Sequence, residues 1–205
     1  MIAPSVRLGG DGVARCWWCG DDPTYVAYHD DEWGRPLHDD RQLYGLLVLE
    51  GFQAGLSWIT ILRKRPAFQR AFDGFDPELV ARYGPAEVDR LLGDAAIVRH
   101  RGKCEAAIAN AQATLRLWEA GESIDGLCRS FTPSARLRRL RAEDDYPALT
   151  EGSTALAKEL RRRGFRFIGP TVAYAHLQSA GFVDDHLEGC WVPDPPPPRP
   201  APLVA

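Results

Sequence analysis

Residues 46–58, LLVLEGFQAGLSW, hold one ionisable side chain, Glu50, among Leu, Val, Phe, Ala and Trp. A helix over this stretch puts Leu43, Leu47 and Glu50 on one face, at i, i+4 and i+7. The stripe that must face a core therefore carries a carboxylate, and desolvating it costs several kcal/mol unless something pairs with it. The ordinary outcome is a Glu at the edge of the stripe reaching water, because Glu is almost never fully buried unpaired. No Lys or Arg lies between Arg41 and Arg63, so a cationic partner for an inward Glu50 has to come from elsewhere, a ligand included. A buried acid beside aromatics is what a pocket for a cationic or amine-bearing ring needs.

With 205 residues the chain can form one domain or two small lobes sharing a core. Its hydrophobic content of 45% marks a globular protein, and no apolar run approaches the ~20 residues of a membrane span. The first residues, MIAPSVRLGGDGVAR, show no charged start followed by an apolar stretch, so a cytoplasmic protein is expected. Residues 1–14 read as a flexible arm. Residues 193–205 are a proline-rich tail, expected as polyproline II outside the core. The folded domain is then 15–192.

That interior reads as all-helical. Asp39 or Asp40 can cap a helix running to the mid-50s, and Ser57 starts the next, through WITILRKRPAFQRAF. Short helices at DPELVARY and PAEVDRLLGD open with Pro near the first turn. A longer one starts at Gly102 or Lys103, with Ala107, Ala111, Thr114 and Trp118 on one face and Gly121 as its stop. Further helices fit IDGLCRSF, STALAKELRRRG and PTVAYAHLQSAG. DDPTYVAYHDDEWG and residues 132–150 read as loops, and no β-alternation is sustained.

Net charge is −3, which argues against wholesale coating of nucleic acid, but basic residues cluster locally. Arg99, Arg101 and Lys103 form one group. Arg136, Arg138, Arg139 and Arg141 form a second, and Arg161, Arg162, Arg163 and Arg166 a third. Each is either a phosphate contact or a solvated face. Five cysteines, an odd count without an export signal, argue against a disulfide framework.

Three constellations carry chemistry. Cys16, Cys19 and His29 lie near one end of the folded region, His186 and Cys190 near the other. A helical turn would put His186 and Cys190 on one face, able to chelate one ion. Two Cys and two His make a closed tetrahedral zinc set with no place for water, hence structural, and Cys19 competes with Cys16 for a place in it. The second is DAAIVRHRGKCEAAIANA, a hairpin near 97–103 whose Gly102 enters a helix N-terminus and can aim N–H groups at a phosphate. The third is Trp18, Tyr25, Tyr28, Trp33, Glu50 and Trp58, in which the rings can sandwich a planar base at ~1–3 kcal/mol of stacking each.

DPTYVAYHDDEWG, LEGFQAGLSWITIL, IVRHRGK, GFRFIGPT and VDDHLEGC, in that order, resemble the type I 3-methyladenine-DNA glycosylase family from about Arg15 to Cys190. The resemblance implies an all-α helix-hairpin-helix fold and a structural zinc on Cys16, His29, His186 and Cys190, with Cys19 a bystander. It implies that Glu50 reads the edge of the alkylated adenine, with Tyr28 as its polar neighbour. Trp58 would be a stacking wall, with Trp18, Tyr25 and Trp33 around it. Leu56 would sit near the gap left by the flipped base, and Arg99, Arg101, Gly102 and Lys103 would touch DNA. Asp184 departs from the family, which more usually has Asn there.

The activity so implied is monofunctional hydrolysis of the N-glycosidic bond of N3-methyladenine in double-stranded alkylated DNA by a monomer. The methylated base is already cationic and a good leaving group, so Glu50 is expected to recognise it and stabilise charge rather than activate water. With three lysines, none in the pocket segments, no Schiff-base step is expected. Two rival readings differ in class. One is a zinc-stabilised DNA-binding module without catalysis, which has no need for Glu50 among aromatics. The other is a zinc hydrolase, in which one ligand is water.

Overall fold

A computed structural model describes residues 6–132 and 139–200, Asp144 by its backbone alone. It is organised around α2 (Asp40–Gln53), which is buried continuously from Leu43 to Phe52. A helix apolar on all sides belongs inside a protein, and α2 accordingly packs against four others. These are α3 (Trp58–Ala71), α6 (Arg101–Glu119), α7 (Ile124–Phe131) and α9 (Pro170–Ser179). With no face left for water, Glu50 has no stripe edge from which to reach solvent, and it is only 3% exposed. Gly45 keeps the helix close to its neighbours, since a Cβ there would stand 3.1 Å from the Phe75 side chain.

The two candidate caps of α2 divide the work. Asp39 accepts from the Gln42 N–H and caps α2. Asp40 instead accepts from Trp118 Nε1 and from the backbone N–H groups of Ile124 and Asp125, so it fixes the start of α7. Two shorter helices, α4 (Pro77–Val80) and α5 (Pro85–Gly93), lead to the turn before α6. The core is completed by α8 (Glu151–Arg162), which packs against α7 and α9. Helix α6 starts at Arg101, one residue before the earlier of its expected starts, with His100 as the cap accepting from the Lys103 N–H.

The course of the chain departs from the sequence-based expectation in four places. DDPTYVAYHDDEWG is not a loop: α1 (Pro23–Asp31) runs through it, begun by Pro23 and capped by Asp22, which accepts from Thr24 and Tyr25. Cap chemistry starts this helix although its apolar periodicity is weak. The arm contributes a strand, β1 (Val6–Leu8), which pairs antiparallel with β2 (Ala14–Cys16). His186 and Cys190 share no helix; they flank a turn in which the Cys190 N–H donates to the Leu187 carbonyl. The tail lies against the body up to the last described residues: Pro196 is buried, and Arg35 donates to the Pro197 carbonyl. Arg136 and Arg138 lie outside the described residues; Arg139 and Arg141 of the same cluster lie within them.

Candidate active site

Helices α1, α2, α3 and α9 and the 3-10 turn at Trp17–Cys19 enclose a cavity of about 230 Å³. Trp18, Tyr25, Tyr28, Trp33, Glu50 and Trp58 all line it, so the aromatic residues read from sequence and the one buried acid meet at a single place. Their spacing explains how. Tyr25 and Tyr28 stand one turn apart on α1, Glu50 is in the last turn of α2, and Trp58 opens α3 immediately after the connecting loop. Trp18 and Trp33 pack edge to face at 4.9 Å between centroids, and Tyr28 and Trp58 are tilted against each other at 5.6 Å. Trp18 Nε1 and Trp58 Nε1 are buried without a hydrogen-bond partner among the described residues. Two unmatched donors in the lining of an aromatic cavity suit a ligand with acceptors.

Glu50 Oε1 accepts a 2.7 Å hydrogen bond from Ser179 Oγ at the end of α9. Burial pushes its carboxyl up to about 7, and the Ser179 bond and the positive charge of Arg199 pull the other way. The neighbouring Tyr28 is held well above the ordinary phenol range, first by burial and then by the charge of Glu50. It is therefore a neutral O–H donor. Trp17, Gln53, Tyr146, Gln178 and Ser179 also line the cavity and were not singled out from sequence. Ser179 and Gln178 end a helix that periodicity identifies, but nothing in the sequence says which residue of α9 meets Glu50. Tyr146 comes from the segment read as an unassigned loop.

Behind the cavity wall, Cys16, His29, His186 and Cys190 bring their donor atoms within 4.8 Å of one another. Cys190 Sγ stands 3.6 Å from both His29 Nε2 and His186 Nδ1, and Cys16 Sγ is 3.8 Å from His186 Nδ1. The other imidazole nitrogens are taken: His29 Nδ1 lies 2.8 Å from Asp30 Oδ1, and His186 Nε2 is 3.1 Å from the Trp33 carbonyl. Both acceptors call for N–H on that side, leaving the lone pairs of both rings facing the sulfurs. The hydrogen bond from Cys16 favours the Cys190 thiolate, while the Cys190 sulfur and then burial hold the Cys16 thiol up. Cys19 is buried outside the cluster, its Sγ donating to the Cys16 carbonyl. Gly34 admits His186: a Cβ there would stand 2.9 Å from Nε2, and its φ of +73° suits glycine. Asp184 holds the loop by accepting from the His186 N–H and pairing with Arg139. Arg139 is thus a structural residue, also donating to the Val192 and Pro193 carbonyls.

A third set of residues lies on the outer surface. Leu56 is 42% exposed in the loop between α2 and α3. Arg99 is exposed in the turn before α6, and exposed Arg101 pairs with Asp89. Gly102 lies close to the exposed ring of Phe167, whose φ is +58°. Lys103 departs from the expected phosphate contact. It is buried, and its Nζ donates to the Phe52 and Ala54 carbonyls at the end of α2. Those carbonyls have no helical donors of their own, so the ammonium is consumed in fixing the loop that carries Leu56.

A family model described as methyladenine glycosylase matches residues 18–193. The chain belongs to the methyladenine glycosylase family. DNA-3-methyladenine glycosylase 1 of Escherichia coli (strain K12) is 44% identical over 179 residues, covering 87% of this chain and 96% of that protein. A crystal structure of 3-methyladenine DNA glycosylase I superposes with a TM-score of 0.84 at 45% identity, covering 86% of this chain and 98% of that one. A variant of such an enzyme in complex with 3-methyladenine superposes at 0.82 with 37% identity, covering 86% and 96%. The methyladenine glycosylase match contains the whole aromatic cavity except Trp17. It stops short of the last described residues of the tail.

Proposed function

We propose that this chain excises N3-methyladenine from DNA by hydrolysing its N-glycosidic bond. The observation that carries the reading is a fully buried carboxylate at an aromatic cavity. Methylation at N3 makes the base a cation, and an aromatic box with an anion in its wall suits a flat cation better than neutral adenine. The base flips out of the duplex into the cavity, beside Leu56 at the surface. There Glu50 reads its edge and stabilises the positive charge that moves to the sugar. As the C1′–N9 bond breaks, its electron pair neutralises the departing base. Water adds to C1′ and loses a proton, leaving an abasic site.

The reaction is monofunctional in this account. Lys64 Nζ is held by the Ala95 and Ala96 carbonyls and Lys103 Nζ by those of Phe52 and Ala54, and Lys158 does not line the cavity. Arg99, Arg101 and the N-terminus of α6 at Gly102 contact the duplex backbone.

The Cys and His cluster holds one Zn²⁺ as a structural ion. Bond lengths of ~2.3 Å to sulfur and ~2.0–2.1 Å to nitrogen put tetrahedral neighbours roughly 3.6 Å apart; three of the four S···N separations are 3.6 to 3.8 Å, and all four donor atoms lie within 4.8 Å of one another. Four protein donors leave no position for water, so the zinc-hydrolase reading finds no support. The ion would tie the N-terminal segment to the turn at 184–190. Since Trp33 gives its carbonyl to His186 and Trp18 packs 5.3 Å from His29, it would also brace two walls of the cavity. Both sites are built within one chain, which supports action as a monomer; no helix among the described residues is long and apolar enough to cross a membrane.

The test is base release from freshly methylated duplex DNA. The wild type releases 3-methyladenine, and Glu50→Ala, still folded, loses nearly all activity. Full activity in Glu50→Ala would remove the assigned role.

A further inference from the structure

Glu50 lies in a stretch without basic residues, yet a guanidinium reaches its neighbourhood from the far end of the chain. Arg199, in the proline-rich tail, is 4% exposed at its side chain. Its Nη2 donates to the backbone carbonyl of Ser179, the residue whose hydroxyl donates to Glu50. Nη1 lies 3.6 Å from Glu32 Oε2, and neither Nη1 nor Nε has a hydrogen-bond partner among the described residues. A buried guanidinium so poorly hydrogen-bonded is costly to keep, and only nearby negative charge offsets the cost. Two acids supply it: Glu32, already joined to Arg65 by a two-point contact, and Glu50. The tail that delivers Arg199 lies beyond the family match, which ends at residue 193.

We infer that Arg199 is a positioning residue of the active site, delivered in cis by the tail to hold Ser179 and serve as the counter-charge that favours the ionised form of buried Glu50. It touches no substrate in this account. Its effect is on the charge of Glu50, and the inference rests on the reading of Glu50 as the charged group of the cavity. The groups packed around Glu50 leave Arg199 as its main electrostatic partner. From α9, His176 is fully buried and kept neutral, by burial first and by Arg199 second. From α1, Tyr28 is a neutral phenol and Glu32 is engaged with Arg65 of α3. From α6, Lys103 is tied to the end of α2, and from α7 burial keeps the Cys128 thiol neutral. Arg199 lowers the carboxyl of Glu50, and Glu50 in turn raises Arg199, which burial otherwise holds below its usual range.

The experiment is a double-mutant cycle in the full chain with Arg199→Gln, Glu50→Gln and the pair, melted at pH 8, alongside pH profiles of base release from methylated DNA. A counter-charge makes Arg199→Gln lower the melting temperature by at least ~2 °C more when Glu50 is present than in the Glu50→Gln background. It also moves the acidic limb of kcat/KM up by about one pH unit in Arg199→Gln, and Arg199→Lys restores most of that shift. Equal losses of melting temperature in both backgrounds, with an unmoved acidic limb, would overturn the inference, because a packing role alone predicts that result. If Arg199→Gln does not fold, the pair decides: recovery of folding in the double variant supports the counter-charge, and a double variant that stays unfolded overturns it. A wild type that releases no base would refute the proposed activity and leave the melting cycle readable.

Discussion

Replacing Glu50 with Gln should make the protein more stable and less active, with a gain that depends on pH. Burial lifts this carboxyl from 4.5 to about 7. The folded chain thus binds the proton more tightly than the unfolded chain. The contribution of the group to stability is complete below about pH 4.5 and is lost as pH rises to about 7. Above that the loss levels off at ~3 kcal/mol, the difference between 4.5 and about 7 at 1.36 kcal/mol per unit. Gln, which does not titrate, escapes this cost. At 2–4 °C per kcal/mol for a domain of this size, Glu50→Gln should melt roughly 8 °C above the wild type at pH 8 and only about 2 °C above it at pH 5. The amide brings its own hydrogen-bonding cost, which is the same at both pH values, so the change in the difference is the quantity to read. Differential scanning calorimetry of both proteins between pH 5 and pH 8 measures it. A difference that stays constant with pH, or that shrinks as pH rises, would refute the view of Glu50 as a desolvated carboxylate held at a cost for function.

Four further outcomes follow from the structure. The acidic limb of kcat/KM should fall near pH 7, where free Glu50 takes up its proton; that of kcat should lie lower, because a bound cationic base favours the carboxylate, and coincident limbs would argue that no cation sits beside it. Native mass spectrometry should find one zinc per chain, and chelation or Cys190→Ser should lower the melting temperature by more than about 5 °C; a metal-free protein that melts unchanged would end the clamp assignment. Lys103→Met should cost ~1–3 kcal/mol by leaving two carbonyls unpaired, without changing the salt dependence of DNA binding. Arg99→Ala, by contrast, should reduce the slope of log K against log salt by about one.

How far the sequence could be read depended on whether the signal was local. Caps and apolar periodicity located α2, α3 and α6 to within a residue or two; Asp39 and His100 cap through their own near neighbours, while Ser57 precedes α3 without a side-chain cap bond. The helix at Pro23 was hidden because its apolar pattern is weak, although Asp22 and Pro23 carried the start signal. The six cavity residues named from sequence do share one cavity, since five of them fall in two short segments that the chain brings together. Ser179, Tyr146 and Arg199 were not legible in this way. Each reaches the site from a distant part of the chain, and a long-range contact leaves no trace in local composition. Lys103 shows the converse error: its neighbours suggested a phosphate contact, but the carbonyls at the end of α2 take its ammonium.

Removal of a cationic methylated base by a cavity of aromatic rings around a buried carboxylate can be tested on the reaction itself. The most direct test is to incubate the purified full-length chain with freshly methylated duplex DNA and identify the released base by chromatography and mass spectrometry. The expected result is release of 3-methyladenine, an intact strand bearing an abasic site, and near-complete loss of release in Glu50→Gln that remains folded. Undiminished release by that variant, or DNA binding by the wild type with no base released, would contradict it.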